Sequence, residues 1–325
     1  RCMVDEMASS TGDVEVVIGA GFDDVGRKPG KKAVPEPVKP EPEKTGPLFE
    51  AFVQKVDVEN FPVLGSHLLD GKPVVPFALA AEWVGSGALH ANPGLLLIGI
   101  DDMRVLSGIR LEEAGRTVTV LAGKPSKNGA AFDVEVRIKS ENSGRDTVHY
   151  GGRAVLSAAY EKPPAFAEPA SLAVSGYRRT AAELYETVLF HGKDLHGICE
   201  VVACSKEGIK ARVQSAPSPK KWIRRPVRNT WLADPLALDT AFQMAIVWCH
   251  EQAGMVCLPV CFKSYRQYRS AFPAEGVTVV LSVTDRTSRK VRGDVFFLDA
   301  GGALVACMTG FEAVMDKSLN AAFKS

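Results

Sequence analysis

Two stretches of this chain are apolar on almost every side at helical spacing, and each is accompanied by a series of short strand-like runs. The first, Pro76 to Ser86, carries Phe77, Leu79, Ala80, Ala81, Trp83 and Val84; the second, Pro235 to Glu251, carries Leu236, Leu238, Ala241, Phe242, Ala245, Ile246 and Trp248. A helix that is apolar all round has no face to offer water and must be enclosed by protein. Strand-like runs follow the first at Leu95–Ile100, Met103–Leu111, Thr117–Ala122, Phe132–Lys139 and His149–Ala158, and Phe132 to Ile138 alternates with the period of two expected of a half-exposed strand. The second is preceded by a helix candidate at Ala182–Leu189 and by runs at Gly197–Cys204 and Ile209–Gln214. It is followed by Met255–Phe262, Val277–Thr284, Val291–Leu298 and Leu304–Val314, the last two split by the hairpin signal Asp299-Ala-Gly-Gly. A Pro-rich break, Glu161–Pro169, separates the two sets. The pattern predicts an α+β chain of two tandem units, residues 48–162 and 163–316, each an antiparallel sheet wrapped around one buried helix, with residues 317–325 as a tail.

A chain of 325 residues that is 46% hydrophobic can bury a large core. A formal net charge of +1 gives no electrostatic footprint for nucleic acid or anionic membrane. No apolar run reads as a membrane span and the first residues carry no signal-peptide pattern. Seven cysteines without a C-x2-C pair read as reduced, mostly buried thiols of a cytoplasmic protein. Residues 27–47, rich in Pro, Lys and Glu, favour extended conformers and read as an interdomain linker.

The stretch Gly65 to Trp83 places one histidine, His67, four residues before Gly71, and Pro76 then opens the first apolar helix. Imidazole titrates near neutral pH and can accept a proton, while a helix N-terminus offers free N–H groups that polarise a carbonyl. A base beside such a helix end suits proton abstraction alpha to a thioester; the alternative is a structural histidine bonded to backbone. In the second apolar helix, Asp239 and Gln243 stand at i and i+4, so the amide can hold the carboxyl. Burial is expected to raise the Asp239 pKa towards that of a general acid; the alternative is a structural aspartate bonded to backbone or to an arginine.

His67, Gly71 and Pro76 match H-x3-G-x4-P, and Asp234-Pro-Leu-Ala-Leu-Asp239-Thr-Ala-Phe-Gln243 carries D-x3-Q in a proline–leucine context. In both order and spacing the chain resembles the dehydratase domains of polyketide and polyunsaturated fatty acid synthases. A third stretch, Leu189-Phe-His191-Gly192-Lys-Asp-Leu-His-Gly197-Ile, is similar to the family's L-x-Y-G-x-x-F-x-G-I/L, with His191 where tyrosine is common and Leu195 where phenylalanine is. Asp234 replaces a frequent histidine. The resemblance covers about Phe49 to Val314. It implies a double hot-dog fold and loss of water from 3-hydroxyacyl thioesters held on the phosphopantetheine of an acyl carrier protein, with no further cofactor. His67 would be the base and Asp239 the acid. Gln243, Gly71, Pro76, His191 and Gly192 would support them, and a backbone N–H near Gly71 or at the helix start would steady the thioester oxygen. Residues 1–25 resemble the end of a ketoreductase domain, so neighbouring synthase domains and an acyl carrier protein are the expected partners, and a homodimer is allowed.

The remaining constellations are weaker. His191, His196, Cys199 and Cys204 match no common zinc spacing, so no metal is expected there. Asp101-Asp102 reads as a solvated turn. Lys220, Lys221, Arg224, Arg225 and Arg228 around Trp222 read as a solvated loop or as a docking face for an acidic carrier. Rival functions on the same resemblance are a hot-dog thioesterase, a product-template cyclase and a degenerate carrier-binding scaffold; double-bond isomerisation by the same pair is a further option.

Overall fold

The first apolar stretch forms α1 (Phe77–His90), buried at every position from Phe77 to Leu89. Pro76 stands just outside it as the N-cap, not within the first turn as expected; its φ of −58° and ψ of 139° are extended, and its carbonyl accepts from the N–H groups of Leu79 and Ala80. In this computed structural model, residues 46–142, 145–173 and 176–323 are described. The ketoreductase-like stretch and nearly all of the Pro-rich segment therefore lie outside the described residues.

Around α1 run β1 (Phe49–Val56), β4 (Leu96–Val105), β5 (Arg116–Ala122), β6 (Ser126–Asn128), β7 (Ala131–Asn142) and β8 (Arg145–Ser157), while β2 (Leu68–Leu69) and β3 (Lys72–Pro73) make a small separate hairpin. The second half holds α2 (Ala181–Thr187), whose N-terminus is closed by a Thr180–Glu183 capping box, then β9 (Ile198–Ser205), β10 (Gly208–Val213) and the single turn α3 (Pro219–Trp222). The second apolar stretch follows as α4 (Pro235–Ala253), capped by the Asp234 carboxylate on the N–H groups of Leu236 and Ala237 and ended by Gly254 at φ 63°. The strands β11 (Val256–Gln267), β12 (Val277–Arg286), β13 (Lys290–Leu298) and β14 (Leu304–Asp316) complete the second set, and α5 (Leu319–Ala322) follows them.

The two sets join edge to edge. β4 pairs antiparallel with β11, with Phe262 opposite Met103 and Tyr265 opposite Ile100, giving one 12-stranded sheet in the order β1-β5-β7-β8-β4-β11-β14-β13-β12-β10-β9, with β6 on β7. The expected turn at Asp101-Asp102 is instead part of β4, which runs unbroken where two strands were expected. Asp102 at φ 51° marks an irregularity in the pairing with β8, and Asp101 accepts both terminal nitrogens of Arg266 on β11 at 2.6 and 3.0 Å. The carboxylate is thus a bidentate tie across the junction of the halves.

Inside this sheet α1 and α4 meet. Phe77 lies 5.6 Å from Phe242 and 5.7 Å from Phe262, ring centre to ring centre. Glu82, buried on α1, accepts N–H bonds from Leu232 at 2.9 and 3.0 Å and from Ala233 at 2.9 Å, so the first helix holds the segment that leads into the second. No helix among the described residues is long and apolar enough to cross a membrane.

Candidate active site

The position of His67 follows from the hairpin beside it. Asp70 and Gly71 have φ of 53° and 70°, the pair of positive values that a two-residue turn between twisted strands requires, and Asp-Gly is a sequence suited to it. The turn folds β3 back on β2, so that Val74 faces His67. The Val74 N–H donates to the His67 carbonyl at 3.0 Å, and the Val74 carbonyl lies 2.7 Å from Nδ1 of the ring. That bond places the proton on Nδ1 and leaves Nε2 a bare lone pair. Burial pulls the His67 pKa down to about 4, only partly offset by the Val74 bond, so the ring is neutral at pH 7. Gly71 itself is exposed at the hairpin tip, where it shapes the turn, and is not among the residues lining the cavity below. α1 starts at the cavity residue Phe77.

The segment Phe190–Leu195 clamps onto this arrangement from the other half. His191 forms a β-bridge with His67, the Gly192 N–H donates to the Ser66 carbonyl at 2.7 Å, and the Ser66 hydroxyl donates to Asp194 at 2.8 Å. A Cβ on Gly192 would sit 2.9 Å from the Ser66 Cα, so only glycine permits this approach.

Asp239 arrives from α4. Gln243 Nε2 donates to its Oδ2 at 2.8 Å and to the Leu195 carbonyl at 2.9 Å, while the Tyr185 hydroxyl donates to Gln243 Oε1 at 2.7 Å. The amide is therefore fixed at both ends, as its i,i+4 spacing suggested. Burial raises the Asp239 pKa to about 7, against the opposing pull of the Gln243 bond. His191 Nε2 lies 3.4 Å from Asp239 Oδ2, and burial drives the His191 pKa well below its usual value. The pair is then a neutral ring beside a carboxyl near its titration point, not an ion pair.

These side chains share one apolar cavity of about 120 Å³. His67, His191 and Asp239 are its titratable acid–base residues, and Val75, Phe77, Val105, Phe190, Phe242, Ile246 and Leu258 are among its walls. The ligand atoms of His67, His191 and Asp239 all lie within 4.8 Å of one another. The structure thus unites His67, Asp239, Gln243, His191 and Gly192. Pro76 contributes by starting α1, and Gly71 stays outside.

Several wall residues, such as Phe190, Tyr150, Leu258 and Pro259, carried no sequence signal, and neither did Phe323, whose ring meets Phe190 at 4.5 Å. Of the quartet His191, His196, Cys199 and Cys204, only His191 enters the cavity; His196 stacks on Tyr185 with ring centres 3.8 Å apart, and Cys199 is exposed. A more open cleft lined by Tyr177, Arg178, Arg179, Cys204 and Glu251 shares no residue with this cavity. In the basic cluster Trp222 is buried against Trp231, Arg224 pairs with Glu59 at 3.0 Å, and Lys220, Lys221 and Arg225 are exposed.

Residues 163–316 match the family model described as the polyketide synthase dehydratase N-terminal domain, a match that falls on the second half of this chain and includes Asp239. One polyunsaturated fatty acid synthase polypeptide, from Thraustochytrium sp., is 30% identical over 219 residues, 66% of this chain. In sequence, the second half of the chain is thus similar to the polyketide synthase dehydratase domains. The chain spans only 8% of the length of that relative. Among solved structures, the dehydratase domain from the CurF module of the curacin polyketide synthase superposes with a TM-score of 0.66 at 17% identity, covering 82% of this chain and 93% of that one. A trans-AT polyketide synthase dehydratase domain from Brevibacillus brevis gives 0.67 at 19%, covering 81% and 93%. The dehydratase domain of a mycocerosic acid synthase-like polyketide synthase gives 0.65 at 21%, covering 82% and 92%. These neighbours share the double hot-dog fold, and this chain has the same fold.

Proposed function

We propose that this domain removes water from 3-hydroxyacyl thioesters carried on the phosphopantetheine of an acyl carrier protein, giving enoyl thioesters within a multidomain polyunsaturated fatty acid or polyketide synthase. The observation that carries the reading is the meeting of His67 from one half with Asp239 from the other across a single apolar cavity. Neutral His67 accepts the α-proton at Nε2 while its Nδ1–H stays on the Val74 carbonyl, which gains strength as the ring becomes cationic. Asp239, protonated, donates to the departing 3-hydroxyl so that it leaves as water; Gln243 fixes the carboxyl. The first-turn N–H groups of α1 face the charge that develops on the thioester oxygen. Both bonds break at adjacent carbons, so proton and hydroxyl leave together and the chain keeps its oxidation state.

The domain needs no cofactor in this scheme beyond the carrier's own arm. Residues 1–47 would connect it to a ketoreductase upstream, and the exposed Lys220, Lys221 and Arg225 are suited to an acidic carrier. Unpaired cysteines suit a cytoplasmic enzyme. Mass analysis of the product from a 3-hydroxyacyl-pantetheine tests the reading. An enoyl thioester supports it; free acid would indicate a thioesterase, and an unchanged substrate a scaffold. A poly-β-keto chain closing to an aromatic ring would indicate a cyclase.

A further inference from the structure

The cavity holds one more titratable ring than acid–base chemistry needs. We propose that His67, His191 and Asp239 together form a site for a divalent transition-metal ion of the zinc class, and that its occupation blocks the domain. Two imidazoles and one carboxylate are a borderline donor set, suited to zinc and not to calcium or magnesium, which take oxygen ligands. Three protein ligands leave a fourth position open, and here that position is the apolar cavity itself.

The surroundings are those of a ligand set already held in place. A metal-bound histidine normally gives its other ring N–H to a carbonyl or carboxylate, and His67 does so to Val74 at 2.7 Å. Asp239 is backed by Gln243, which is itself fixed by Tyr185 and Leu195. His191 is the telling member. Its side chain is 3% exposed, its Nε2 faces Asp239, and its Nδ1 has no hydrogen-bond partner. At 3.4 Å the Nε2–Asp239 contact is longer than an ordinary N–H···O hydrogen bond, and an ion between the two would give both atoms a ligand bond.

The geometry needs a contraction. Donors at about 2.1 Å on a tetrahedral ion stand about 3.4 Å apart. The three ligand atoms lie within 4.8 Å of one another, so the widest separation has to close by up to about 1.4 Å. Rotation about the side-chain χ angles provides that. An ion so held would occupy the Nε2 lone pair of His67 and the Asp239 carboxylate, leaving neither base nor acid for a substrate. Inhibition rests on the dehydratase reading, whereas binding does not.

The test uses the 325-residue chain, stripped with a chelator and titrated with Co²⁺ in the absence of substrate. One equivalent is expected to give a saturable visible absorption of four-coordinate cobalt, displaced by Zn²⁺ and abolished by EDTA. His191→Phe and His67→Phe each keep a ring and remove a ligand, and each is expected to weaken binding at least 10-fold. The unfolding temperature of the metal-free variants verifies that they are folded, and only the original chain is expected to gain thermal stability from Zn²⁺. All cysteines persist in both variants, so thiol binding would appear equally in them. No saturable signal in the original chain, or the same signal in both variants, would overturn the proposal. If the chain dehydrates, Zn²⁺ is expected to inhibit it reversibly; if it does not, the cobalt spectrum still decides the site.

Discussion

Replacing Gln243 with methionine is expected to move the alkaline limit of activity upwards. Fully buried Gln243 donates to Asp239 Oδ2 at 2.8 Å, and this bond favours the ionised carboxylate. A hydrogen bond to a charged group contributes about 1.5–3 kcal/mol, and one pKa unit corresponds to about 1.36 kcal/mol. Its removal therefore raises the Asp239 pKa by about 1–2 units, from about 7 to roughly 8–9. The general acid then stays protonated to higher pH. The profile of kcat/KM against pH, which reports the free enzyme, is expected to fall above about 7 in the original chain and below about 4, where His67 takes a proton. In Gln243→Met only the alkaline limb moves. The variant also leaves the Leu195 carbonyl and the Tyr185 hydroxyl short of a partner, at about 1–3 kcal/mol each. Circular dichroism at each pH separates that loss of stability from the titration. An alkaline limb that stays in place or moves downwards would refute the assignment of Asp239 as the acid.

Three further outcomes follow from the same contacts. Asp239 binds its proton more tightly folded than unfolded, so its contribution to stability is greatest below about pH 4 and is lost as pH rises through about 7. Asp239→Asn is therefore expected to gain a few kcal/mol relative to the original chain between pH 5 and pH 8; an equal difference in unfolding free energy at both pH values would contradict this. Gly192→Ala forces Ser66 away from the segment carrying His191. It is expected to cost about 1–3 kcal/mol in urea unfolding and most of the activity. Glu82→Leu leaves the N–H groups of Leu232 and Ala233 without acceptors and is expected to cost about 1–3 kcal/mol per group, read from the same urea curves.

The two enclosed helices were legible because a helix without a polar face has only one place to go. The acid–amide pair on α4 was legible because i,i+4 spacing alone puts Asp239 and Gln243 on one face. Gly71 was legible as part of a motif, but the Asp70-Gly71 turn was not legible as the device that sets Val74 opposite His67; a positive-φ hairpin between two-residue strands leaves almost no pattern. β1 escaped notice for a related reason. As an edge strand with charged residues at Glu50 and Lys55 and an exposed Phe49, it shows no clean alternation. Asp101 looked solvated because adjacent carboxylates usually are, and its partner Arg266 is brought to it only by the β4–β11 pairing. The walls at Phe190 and Leu258 were hidden in the same way, since their neighbours, such as Phe323 against Phe190, come from distant parts of the chain. His191 was visible as a departure from the family's tyrosine, yet its closeness to both His67 and Asp239 depends on the Ser66–Gly192 contact.

The most direct measurement is a double-mutant cycle on kcat for a carrier-bound 3-hydroxyacyl substrate, using His67→Ala, Asp239→Asn and the pair combined. If one base and one acid serve the same elimination, each single variant is expected to lose about 10²–10⁴-fold, and the combined variant little more than the worse of the two. Losses that multiply, or either single variant retaining full activity, would contradict a shared site built from the two halves.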